Sequence, residues 1–114
     1  MTLEHFLEKL SIKPESIAFT DTMAVIESHY TFTETAFSNG EQHNAAGENS
    51  GSCKLFAFAK LHDLTAADTL ACFGAYYRDD VLGHPDAQDH QNIRQFMMNG
   101  WSGITFEGEA LSAK

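Results

Sequence analysis

The chain has 114 residues and 12.6 kDa, enough for one domain, and its 16 acidic against 7 basic side chains give a formal charge of −9. By the scaling of surface with mass, folding leaves about 6,000 Å² of roughly 18,000 Å² exposed, and a 43% hydrophobic content with 9 Phe supplies the core. Charge-driven disorder is excluded, and so is a nucleic-acid binder, which needs clustered Lys and Arg rather than 7 scattered among carboxylates.

Leu3, Phe6, Leu7 and Leu10 fall on one stripe of a first amphipathic helix. Glu4 and Glu8 interrupt it, so it is neither a Sec signal nor a membrane span, and the expected location is the cytoplasm. Pro14 ends this helix. Thr20 or Asp21 is the expected cap of a second one through Met23, Val25, Ile26, Glu27 and Tyr30. The β-branched and aromatic run Thr31–Phe37 reads as a strand closed by the turn pair Asn39-Gly40. From Asn39 to Ser52 the chain offers almost nothing to bury and reads as a long loop, a kind of segment that is often functional.

Leu55, Phe56, Ala57, Phe58, Ala59 and Leu61 cover nearly every side of the next helix, which should be the buried centre of the fold. Thr65 and Asp68 form a capping-box-like start to a helix with Leu70, Phe73, Gly74 and Tyr77 on one face and Arg78-Asp79-Asp80 at its wet end. Asp89 can cap a last helix with Ile93, Phe96 and Met97 inward, ending at Asn99-Gly100, and Gly103–Gly108 reads as a short strand. The expectation is a single α+β domain over residues 1–114, mostly helical, with four or five helices and a small antiparallel sheet.

Taken together, Phe37-Ser38-Asn39-Gly40, the run His43–Asn49, Gly51-Ser52-Cys53-Lys54, Leu70-Ala71-Cys72-Phe73-Gly74, Tyr76-Tyr77-Arg78 and Asp89-His90-Gln91-Asn92-Ile93-Arg94 resemble the HopJ type III effector family. The likeness runs from the Leu3 helix to Leu111. It implies a protein delivered into host cells by type III secretion, and it brings no established activity and no catalytic residues. A type III signal is usually pliable, Ser-rich and poor in early acids, whereas this chain starts a helix with Glu4 and Glu8. A housekeeping role in the bacterial cytosol is therefore kept as an alternative.

Cys53 and Cys72 are too few for a disulfide scaffold. Cys53 is expected in the first turn of a helix, where the dipole and Lys54 lower a thiol pKa. His43, Asn44 and His90 are its candidate partners, in a thiol-dependent enzyme. The competing reading makes Cys53 a small buried residue, with His43 and Asn44 bonded to the loop backbone. Asn39, Glu48, Asn49 and Ser52 are candidate binding residues of the loop. Gly47–Lys54 is not a P-loop, because Ser52 and Cys53 separate Gly51 from Lys54.

No metal site and no cofactor is assigned. Cys53, Cys72, His43, His84 and His90 would have to meet in space, and no zinc-type spacing is present. The leading role is an interaction with a protein partner, a second copy in a homodimer included, with Tyr76, Tyr77 or Trp101 as anchors if exposed. Protonation of all 6 His would bring the formal charge from −9 to −3, making association pH-sensitive.

Overall fold

A computed structural model describes residues 2–114. Helix α1 (Leu3–Ile12) starts at Thr2, whose hydroxyl accepts the His5 N–H at 3.1 Å, and it buries Phe6 and Leu10. Helix α2 (Phe19–His29) begins before either expected cap. Ala18 holds the cap position, and Asp21 reaches back from inside the helix to accept the Ala18 N–H at 3.1 Å. A carboxylate three residues past the cap satisfies an orphan donor as well as a capping side chain does.

The expected strand over Thr31–Phe37 is two strands in two sheets. Strand β1 (Tyr30–Phe32) pairs antiparallel with β5 (Leu111–Ala113), in the register Phe32 to Leu111. Strand β2 (Phe37–Asn39) lies between β3 (Gln42–Asn44) and β4 (Ile104–Phe106), antiparallel to both. Phe32 and Phe37 are five apart, so one continuous strand would send them to opposite faces. The break between them lets both pack on the same core. The long loop is also corrected: its first part is the β2–β3 hairpin, turning at Gly40 (φ +59), and its last residues already belong to α3 (Ser50–Leu61).

Helix α3 buries Cys53 and Leu55 through Ala59, as its composition predicts, while Leu61 is exposed. Phe56 is the aromatic hub, with ring centroids 5.0 Å from Phe96, 5.5 Å from Phe73 and 6.3 Å from Phe37. Thr65 caps α4 (Ala66–Ala71) by accepting the Asp68 N–H at 3.1 Å. The helix does not reach Tyr77. Gly74, at φ +63, ends it, and a π-helical stretch, Tyr76–Val81, follows. Arg78 is not at a wet end: its guanidinium donates to the Ile17 carbonyl at 2.7 Å and ties this stretch to the turn before α2.

Helix α5 (Gln91–Asn99) follows His90, not Asp89, in the cap position. Asp89 instead accepts from Arg94 at 2.7 Å, and Arg94 also donates to the Asp89, Pro85 and His84 carbonyls, clasping the loop before the helix. Ile93 and Phe96 point inward as expected, but Met97 is exposed and Asn92 and Gln95 take the inner places. The whole is a mostly helical α+β fold with small antiparallel sheets, exposing 6158 Å² of surface, close to the area its mass predicts.

Candidate functional site

The hairpin and the starts of α3 and α5 meet around three buried asparagines. Asn39 Nδ2 donates to the Asn92 carbonyl at 2.7 Å and to Asn92 Oδ1 at 3.1 Å. Asn92 Nδ2 donates to Asn44 Oδ1 at 3.0 Å, and Asn49 Nδ2 donates to the same oxygen at 2.7 Å. Gln95 extends the seam, its Oε1 accepting the Glu41 N–H at 3.1 Å. Buried amides are costly unless each finds partners, so this network fixes the hairpin against α5 in one arrangement. Asn39 Oδ1 alone is buried without a partner among the described residues.

On one side of this seam lies a groove of about 510 Å³, lined by Gln42, Asn49, Ser52, Tyr76, His90 and Gln91 among others. His90 Nε2 lies 3.1 Å from Asp80 Oδ2. On the other side, Ser38, His43, Asn44, Glu48 and Glu107 line a cleft of about 410 Å³, in which the Ser38 hydroxyl and His43 Nδ1 are 3.0 Å apart. Glu48 is spent on the backbone, its Oε1 accepting the Ala45 N–H at 2.8 Å. The candidates chosen from sequence thus divide: Asn49, Ser52 and His90 share the groove, His43, Asn44 and Glu48 the cleft, and Asn39 lies buried with Asn44 in the seam.

Cys53 joins neither. It is 1% exposed, its Sγ faces the Thr35 carbonyl at 3.9 Å, and its N–H is already bonded to Asn49 O, one turn inside the helix start. Burial pushes its thiol up to about 11, the reverse of the lowering expected from the dipole and Lys54. Lys54 is turned away, 3.5 Å from Glu27 and 5.0 Å above the Phe32 ring. Cys72 is buried as well, its thiol pushed up to about 12. Among the described residues no three His, Cys, Asp or Glu side chains gather as a metal set, so the two cysteines and His43, His84 and His90 are not brought together.

Composition hid the working residues Asn92, Gln95 and Arg94. Asn92 and Gln95 lie beside the expected stripe of Ile93, Phe96 and Met97 rather than on it, so the apolar pattern gave no sign that these amides are buried.

The HopJ type III effector protein family matches residues 3–111. The chain belongs to this family. A solved structure described as the crystal structure of the unknown-function protein VPA0580 is 58% identical to this HopJ domain, covers 100% of it and 95% of its own chain, and superposes with a TM-score of 0.99. A comparison with curated proteins gives no match. No helix among the described residues of this HopJ protein is long and apolar enough to cross a membrane.

Proposed function

We propose that this HopJ protein is an effector-like binding protein that acts by docking on another protein rather than by thiol chemistry. The observation that carries the reading is an exposed apolar face beside α5: Leu82 is 49%, Met97 43% and Met98 69% exposed, and with Val81 and Pro85 they line a groove of about 350 Å³. Flexible, polarizable Met side chains suit a surface that repacks around a partner. The chain's 16 acidic side chains favour the approach of a partner with net positive charge, while the groove itself, lined by Arg94 and by no carboxylate, takes the partner's apolar anchors. A buried, neutral Cys53 with no histidine bonded to it gives the enzyme alternative no support.

The test is affinity capture with the full chain and with Met98→Asp and Leu82→Asp, alongside sedimentation for self-association. A partner, or a second copy, that binds the wild type and is weakened about tenfold or more by either substitution supports the reading. Equal capture by all three proteins overturns it. Delivery is tested separately with a reporter fused after the α1 region in a bacterium with a working type III apparatus. Translocation that stops when the apparatus is disabled supports the effector role, and retention in the bacterial cytosol replaces it with the housekeeping one.

A further inference from the structure

The groove beside the asparagine seam is built of different chemistry from the Met98 groove, with which it shares Gln91 at the start of α5. Neither Lys nor Arg, Asp nor Glu lines it, in a chain with a net charge of −9. Its walls hold amides from Gln42, Asn49 and Gln91, the Ser52 hydroxyl, the His90 imidazole and the Tyr76 ring. These groups have spare valence. Asn49 commits its Nδ2 to Asn44 and Gln91 its Nε2 to the Gln88 carbonyl at 2.8 Å, so each still has an amide oxygen to offer. His90 faces the Asp80 carboxylate through Nε2, which donates there, so Nδ1 is the ring nitrogen left for a ligand.

Tyr76 is 45% exposed yet fixed. Its ring stands edge-on to Phe19 at 5.3 Å and tilted against His90 at 5.3 Å. An anchored, half-open aromatic offers a flat apolar face at little entropic cost, and amides that both donate and accept surround it. A volume of about 510 Å³ falls in the range of roughly 300–1,000 Å³ typical of small-ligand sites.

We propose that this groove binds a neutral saccharide of one or two rings, with one sugar face laid on Tyr76 and its hydroxyls shared among Gln42, Asn49, Ser52, His90 and Gln91. Sugar hydroxyls are donors and acceptors at once, as the amide walls are. An anion suits the site less well. No Lys or Arg lines the groove to meet it, Asp80 stands at its edge, and the field of a chain carrying −9 opposes its approach.

The test is titration of the full chain, followed by amide NMR, with a panel of neutral mono- and disaccharides and, in parallel, with inorganic phosphate. At least one saccharide should bind at millimolar concentration and shift resonances of Gln42, Asn49 and Gln91. Tyr76→Ala and Asn49→Ala should each weaken it about tenfold, Tyr76→Phe should retain it, and Ile12→Ser, at the exposed end of α1 away from the groove lining, should leave it unchanged. Urea midpoints within error of the wild type show that the variants are folded. Absence of saccharide-induced shifts in the folded wild type, phosphate shifting these resonances where saccharides do not, or saccharide affinity indifferent to Tyr76→Ala and Asn49→Ala would each overturn the proposal.

Discussion

At the residue scale the decisive fact is the state of the two thiols. Burial holds Cys53 at about 11 and Cys72 at about 12, while both fall to about 8.5 in the unfolded chain. A raised folded pKa means that the unfolded state loses its protons first as the pH rises. The contribution of these groups to stability is whole below about pH 8 and shrinks through pH 9 to 12. Urea midpoints should therefore drop across that alkaline window, and Cys72→Ala should flatten part of the drop whatever it costs at neutral pH. Alkylation at pH 8 should proceed only at the rate of unfolding, in contrast to a helix-start thiolate, which would react within the native state.

At the scale of elements the sharp turns are where single atoms decide. At Gly74, the left-handed backbone and a Cβ that would stand 2.7 Å from the Phe19 nitrogen both forbid a side chain. Gly100 has a similar φ of +59 but open space around it, and Gly83 has neither strain nor a neighbour within 4 Å. Substitution by Ala should follow that order in urea denaturation. Gly74→Ala should cost about 3 kcal/mol, Gly100→Ala, whose ψ of −151 adds to the strain of its positive φ, about 2 kcal/mol, and Gly83→Ala should be neutral or stabilising by about 0.5 kcal/mol. A Gly74→Ala protein as stable as Gly100→Ala would contradict the close approach of α2.

The same glycine explains what the sequence made legible and what it did not. Apolar periodicity marks α1, α3 and the Ile93–Phe96 stripe, because each buries a continuous face. It carries the expected helix from Leu70 past Gly74 to Tyr77 because a periodic stripe does not record a backbone that reverses hand for one residue. Strand β5 escaped notice because three residues beside one partner show no alternation of their own. The candidate site was legible as a region, Asn39 to Ser52, but not as an object. Asn39 and Asn44 look like loop residues until Asn92, about fifty positions later, completes their hydrogen bonds.

For the whole molecule the governing quantity is the imbalance of charge within a body of 36 × 31 × 21 Å. The few cations are largely occupied: Arg94 and Arg78 serve backbone carbonyls, and Lys54 sits over Phe32 beside Glu27. Most of the 16 carboxylates thus have no cation to offset them, and the net electrostatic term opposes compaction. At about 0.01 M salt the screening length is roughly 30 Å, so nearly every charge feels every other. At about 0.15 M it is roughly 8 Å, and only near neighbours interact. Thermal midpoints should consequently rise as NaCl increases over that range, the opposite of a fold held by surface ion pairs. The Asp89–Arg94 contact is the exception that tests the reasoning. Hydrogen bonding to Arg94 holds the Asp89 carboxyl below the usual range, so Asp89→Ala removes the acceptor of the Arg94 N–H while relieving net charge. Its destabilisation should be largest at high salt relative to other Asp→Ala changes on the surface, because screening removes the benefit of neutralisation and leaves the loss of the hydrogen bond uncompensated.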